Sequence, residues 1–218
     1  MPVTELATIP LVAGSQLGDP DNSSAAVFKD CATTISQQDG YHQMQFGVGL
    51  ESPGTLQMAI DWTDKSKHEQ FMNSDAYKPF FKSFGTIIGG DISLIHVDFK
   101  PEGGAIKSMG APVTEVATFY FDGGPPEDAY ESCKKFIEIC EKEEPEKKIY
   151  RWAYGTTHEE IEKDGVKGKG AVLLIGWDSK EDHMAFRETD VFKENIQLLR
   201  QTAKGIEAHH TQFMNFVG

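Results

Sequence analysis

The chain has 218 residues, with 21 Lys and Arg against 34 Asp and Glu, a net charge of −13 at pH 7. That balance repels a phosphate backbone, and no basic cluster interrupts it, which argues against a nucleic-acid partner. With 39% hydrophobic and 25% charged residues the chain reads as soluble and globular, and no apolar run reaches the ~18 residues of a membrane span.

The opening stretch MPVTELATIPLVAG has no basic n-region, so no leader is expected and the chain is placed in the cytoplasm. Thr4–Val12 is apolar with β-branched content and reads as a strand. Asn22-Ser23-Ser24 matches a glycosylation sequon but, without secretion, marks only a polar loop. A helix is expected over Ser24–Gln38, then strands over Tyr41–Leu50 and Leu56–Trp62. Thr63-Asp64 caps a long second helix, Lys65–Ile87, and Ile92–Phe99 closes the series as a strand. Lys100–Pro112 is a linker marked by Gly and Pro.

The elements then recur. Thr114–Phe121 is a strand. Pro125-Pro126 opens a helix running to Glu143, with Tyr130, Cys133, Ile137 and Cys140 on one face. Strands Ile149–Thr156 and Ala171–Trp177 are joined by the charged, Gly-rich hairpin Glu159–Gly170. Asp178-Ser179 caps a helix over Lys180–Lys204 that Gly205 stops, and Glu207–Phe216 is the last strand. Three cysteines, Cys31, Cys133 and Cys140, do not make a disulfide framework; they read as packing on helix faces in a reducing compartment.

The recurrence extends to residues. Val3-Thr4-Glu5-Leu6-Ala7-Thr8 returns as Val113-Thr114-Glu115-Val116-Ala117-Thr118, and Phe28-x-x-Cys31-x-x-x-Ile35 as Tyr130-x-x-Cys133-x-x-x-Ile137. His42-x-Met44-x-Phe46-Gly47 returns as Tyr150-x-Trp152-x-Tyr154-Gly155. The longest block, Trp62…His68-x-x-Phe71-x-x-Ser74-Asp75-x-Tyr77-Lys78, returns as Trp177…His183-x-x-Phe186-x-x-Thr189-Asp190-x-Phe192-Lys193, and His96-x-x-Phe99 as His210-x-x-Phe213. The order never changes, so the chain is a duplicated domain, residues 1–104 and 111–218. Each copy reads β-α-β-β-α-β, the ferredoxin-like arrangement, α+β in class, with one sheet face left open. Burying the two open faces together is strongly favoured, so the copies are expected to pair into one intramolecular barrel.

Several side chains stand out as candidates. His68 and His183 open the second helices, each three residues before a Phe; either they serve as pocket acids or bases, or they bond the neighbouring loop. His96 and His210 lie on half-apolar faces of the last strands, as core or as pocket residues. Trp62 and Trp177 end the third strands. Tyr150, Trp152 and Tyr154 form an alternating aromatic stripe that reads as core by default and would also stack a flat ligand; His42, Met44 and Phe46 are its thinner first-copy version. Tyr77 against Phe192 differs by one hydroxyl and Asp98 against Gln212 by one charge, so the richer polar set, His42, His68, Tyr77, His96 and Asp98, belongs to the first copy. No spacing of His, Cys, Asp or Glu satisfies a metal template, and no G-x-S-x-G, Walker or G-x-G-x-x-G pattern occurs.

At Asp61-Trp62-Thr63-x-Lys65-x-x-His68-x-x-Phe71-x-x-Ser74-Asp75-x-Tyr77 and its echo, the sequence resembles the dimeric α+β barrel superfamily. Its likeness is to the antibiotic-biosynthesis-monooxygenase-like branch, and to the tandem-repeat members of filamentous fungi. The resemblance implies a pocket between the sheet and the helices of each copy. It also implies a cofactor-independent enzyme (monooxygenase, cyclase or decarboxylase) acting on a small hydrophobic aromatic or polyketide-like molecule. His68, Tyr77 and His96 are the catalytic candidates under this resemblance. His42, Phe46, Trp62, Phe71, Asp98, Trp152, Tyr154, Trp177, His183 and His210 are the binding candidates. The cyclase pattern is only partly kept, because Phe71 and Tyr77 fill the helix positions resembling its His and Tyr. Haem-degrading relatives need an axial His where this chain has Phe81 and Ile196, so no haem, metal or other cofactor is expected. The alternative is a non-catalytic ligand-binding or stress-responsive barrel, and further association of whole chains stays open.

Overall fold

The computed structural model describes residues 2–143, 149 and 151–217, so Tyr150 of the aromatic stripe lies outside the described residues. The chain divides into two compact units, Met1–His96 with Met214–Gly218, and Val97–Phe213.

In the first unit β1 (Val3–Pro10), α1 (Ser23–Ser36), β2 (Tyr41–Val48), β3 (Thr55–Trp62), α2 (Lys65–Met72) and α3 (Tyr77–Phe84) lead, through a 3-10 turn at Gly85–Ile87, into β4 (Ser93–Lys100). The sheet order is β4-β1-β3-β2, the split β-α-β arrangement read from the sequence. Strand alternation sorts the side chains. Val3, Glu5, Ala7 and Ile9 share one face with Leu56, Met58, Ile60 and Trp62, while Thr4, Thr8, Gln57 and Asp61 take the other. On that second face Thr4 Oγ1 donates to Asp61 Oδ1 at 2.6 Å, and Gln43 Nε2 donates to Asp61 Oδ2 at 2.6 Å. Helix α1 buries Phe28, Cys31, Ala32 and Ile35 against the first face, a 3.6-residue stripe. Asn22 caps it, its Oδ1 accepting from the Ser24 amide at 3.0 Å.

The second unit begins with the last four residues of β4 and a short helix, α4 (Gly104–Met109), and continues with β5 (Val113–Tyr120), α5 (Ala129–Glu143), β6 (Trp152–Lys163) and β7 (Val166–Trp177). Helices α6 (Lys180–Arg187), α7 (Asp190–Asn195) and α8 (Gln197–Arg200) precede β8 (Gly205–Thr211). The order β8-β5-β7-β6 repeats the first unit, and β6 also pairs with Val97–Lys100 of β4. The final element, β9 (Met214–Asn215), adds to β2 in the first unit.

Four expectations change. The supposed linker folds as α4, held by Ser108 Oγ donating to the Gly104 carbonyl and Thr114 Oγ1 to the Ser108 carbonyl, both at 2.9 Å. Each long second helix is broken. Asn73 Nδ2 and Ser74 Oγ turn back to the Glu69 and Phe71 carbonyls, and Thr189 ends α6 and caps α7; short polar side chains competing for backbone groups end helices in this way. The hairpin Glu159–Gly170 is present, but both strands run on into it as far as Lys163 and Val166, closed by Asp164-Gly165 with φ of 50° and 81°, left-handed values suited to a tight two-residue turn. The last strand stops at Thr211, and Met214–Asn215 pairs elsewhere.

Candidate active site

Face alternation in β1 puts an acid, Glu5, on the apolar helix-facing side between Val3 and Ala7, and the register sets it opposite Ile60. Asp64 starts α2 by accepting from the Ser66 amide at 2.9 Å, which places His68 one turn into the helix, over the end of β3. Strand β4, neighbour of β1 in the sheet, brings His96. The three groups meet: His68 Nδ1 lies 2.9 Å from His96 Nε2 and 3.3 Å from Glu5 Oε2, and Trp62 Nε1 donates to Glu5 Oε2 at 2.8 Å. The Trp62 indole stacks on the His68 ring, centroids 5.5 Å apart and planes at 13°. All four side chains are buried. A 2.9 Å contact between imidazole nitrogens requires a proton between them, so the histidines are a hydrogen-bonded pair.

His68, Glu5 and Trp62 end a cavity with about 60 Å³ of water-accessible space between the sheet and the helices of this unit, walled by Phe71, Tyr77, Phe80, Phe81, Phe84 and aliphatic residues from β1 and β3. The Tyr77 ring packs on Phe71, Phe80 and Phe81. Burial, then the charge of Glu5, hold its hydroxyl above the ordinary phenol pKa, so at neutral pH it is a donor. His96 lines no wall and acts on the cavity only through His68.

The second unit repeats the cluster. Trp177 Nε1 donates to Glu115 Oε2 at 3.3 Å, His183 Nε2 is 3.3 Å from the same oxygen, and His183 Nδ1 is 2.7 Å from His210 Nε2. Burial raises the Glu115 carboxyl from 4.5 to about 7, against smaller opposing effects of the Trp177 hydrogen bond and the Arg187 charge. The cavity here is larger, with about 370 Å³ of water-accessible space, and includes Phe192 where the first unit has Tyr77.

Of the residues singled out from sequence, the fold gathers His68, Tyr77, Trp62 and Phe71 on one cavity with His96 attached, and Trp177 and His183 on the other with His210 attached. The rest stand apart. His42 is exposed and bonded to Thr63 Oγ1 at 3.0 Å, because a register shift between Tyr41 and Gln43 takes it out of alternation and sends Tyr41 against Trp62 instead. Phe46 packs on Phe28. Asp98 accepts from His158 Nε2 at 2.8 Å near the surface. Trp152 packs on Tyr130, and Tyr154 is buried in the second core; neither lines either of these two cavities. Glu5 and Glu115 escaped the sequence reading, although both stand in its first repeated block. An acid on the apolar face of a strand, at the same place in both copies, was the available signal.

Spacing along the sequence offers no metal template, but the fold brings Glu5, His68 and His96 together with ligand atoms within 4.8 Å of one another, the one such group found among the described residues. Two imidazoles and a carboxylate suit a first-row transition metal.

No protein-family model matches the chain and no curated protein matches it. Among solved structures, an anthrone oxidase-like protein is similar over 98% of this chain and 93% of its own, with a TM-score of 0.64 at 14% identity. Two proteins to which monooxygenase activity is ascribed also match. The one from Lactobacillus acidophilus covers 98% of this chain and 93% of its own length (TM-score 0.54, 12% identity), and the one from Fusobacterium nucleatum covers 100% and 98% (TM-score 0.55, 13% identity). The likeness shows the fold. This chain has the mixed α+β, antiparallel-sheet architecture of the dimeric α+β barrels.

Proposed function

We propose that the chain is a cofactor-independent oxygenase that oxidises a small, flat, acidic C–H compound of the anthrone or polyketide type in the cavity of the first unit. The observation carrying this reading is the buried His68–His96 pair, joined to Glu5, at the polar end of an otherwise aromatic and aliphatic cavity. Such walls stack a polycyclic substrate and exclude water, and the pair supplies the one base.

His68 removes a proton from the methylene carbon, and the charge it gains is offset by Glu5 at 3.3 Å. The resulting enolate oxygen accepts from the Tyr77 hydroxyl, which burial keeps protonated. The carbanion gives one electron to dioxygen, the radical pair combines to a peroxide at that carbon, and loss of water leaves a carbonyl. Overall a CH2 group and O2 become C=O and H2O, so neither metal nor reductant enters the balance. The anthrone oxidase-like and monooxygenase-ascribed neighbours support this reading through the fold they share with the chain.

The test is oxygen uptake with anthrone and its hydroxylated derivatives. His68→Gln should lower kcat by about 10²–10⁴, the usual weight of a general base, while His183→Gln should leave it within a few fold. Equal losses in both variants, or none in either, would overturn the assignment; binding without turnover would favour a ligand-carrying role instead.

A further inference from the structure

The two cavities are built from the same repeat positions but have diverged in one direction. At the register that pairs Trp62 with Trp177, Met72 is matched by Arg187, Gly85 by Arg200, Phe80 by Asn195 and Phe81 by Ile196. At the register that pairs His96 with His210, Leu94 is matched by Ala208. Smaller side chains replace aromatic and branched ones, consistent with about 370 Å³ of water-accessible space against about 60 Å³. Two guanidinium groups arrive where the first cavity has no cation among its lining residues.

We propose that the second unit's cavity is a separate binding site for an apolar molecule ending in a carboxylate, its body among Phe119, Leu173, Phe192 and Leu199 and its head at Arg187 and Arg200. Both arginines are exposed residues that line the cavity, so they stand at its mouth. Neither has an acid within ion-pair distance among the described residues. The Arg187 contact that is formed runs from Nη1 to Met184 Sδ at 4.0 Å, and neighbouring Glu188 is taken by Lys193 at 3.0 Å. In a chain of net charge −13, two cations without acidic partners at the opening of an apolar cavity are an unspent positive field. A planar guanidinium meets a carboxylate through two parallel hydrogen bonds. Glu115, at the inner end, is held largely un-ionised by burial below neutral pH and does not neutralise them there. The site does not depend on the oxygenase reading, which uses the other cavity.

Isothermal titration of the full chain with decanoate, 1-decanol and decyltrimethylammonium tests the inference. Decanoate should bind at one site at least tenfold more tightly than decanol, weakening as salt rises. Arg187→Gln with Arg200→Gln should abolish that advantage while decanol affinity stays within twofold. Decanoate binding no tighter than decanol, or an advantage that survives the double variant, would overturn the proposal. If the double variant does not fold by circular dichroism, the wild-type chain still decides: the ammonium probe binding as tightly as decanoate would overturn it.

Discussion

Glu115→Gln isolates the energetics of the buried cluster, because the change is nearly isosteric and the amide oxygen can still accept from Trp177. Glu115 is 9% exposed and its carboxyl is raised from 4.5 to about 7, chiefly by burial. Between those values the folded chain binds the proton more tightly than the unfolded chain does. The associated stability is therefore full below about pH 4.5 and is lost as pH rises through about 7. At ~1.36 kcal/mol per pH unit the interval amounts to about 3 kcal/mol. The Gln variant has no proton to lose. Urea unfolding of both proteins between pH 4.5 and 8.5, at fixed ionic strength, should show near-equal stability at the acid end. The variant should be about 3 kcal/mol more stable at the alkaline end, and taking the difference cancels every other titrating group. A gap that does not change with pH, or a wild-type chain favoured at pH 8.5, would refute the reasoning, since either means that Glu115 ionises without cost.

Tyr77→Phe copies the second unit's state at nearly constant volume. It should leave the fold intact and lower kcat/KM for anthrone about 3- to 10-fold, as expected for one hydrogen bond of roughly 1 kcal/mol. Dialysis against EDTA should leave oxygen uptake unchanged; one equivalent of tightly held metal, with activity lost on its removal, would transfer the chemistry from the proton-linked pair to a cation on Glu5, His68 and His96. Asp64→Ala removes the cap that positions His68 and should lower the urea midpoint of unfolding. Gly155→Ala sets a methyl 2.5 Å from the Asp98 carbonyl oxygen and from Val97 Cγ1. It should cost about 1–3 kcal/mol as overpacking, read as a lower Tm.

Much of the fold was legible because duplication prints every element twice. The pairing of Trp62…His68…Phe71 with Trp177…His183…Phe186 located both helix starts and both cluster histidines without coordinates. What periodicity could not supply was where a helix stops for lack of packing. Asn73–Ala76 and Glu188–Thr189 carry no Gly or Pro, and the breaks depend on Ser74 and Thr189 turning to their own backbone. The hairpin at Glu159–Gly170 was legible, but how far β6 and β7 run into it was not, because its charged and Gly residues carry no apolar alternation to mark the strand ends, whereas a two-residue turn lets the flanking strands pair. The cluster was half legible. The histidines drew attention as titratable residues in both copies, while Glu5 passed as one polar position in a strand. Only the β1–β3 register puts it beside Trp62 and His68.

The central claim is that His68 takes the substrate's proton before oxygen reacts. Anaerobic stopped-flow mixing of anthrone with the wild-type chain examines that step alone, by the absorbance of the bound enolate. One equivalent of enolate should form per chain and decay when oxygen is admitted, and His68→Gln should form none while His183→Gln forms it at the wild-type rate. Enolate formation at the wild-type rate in His68→Gln would contradict the account.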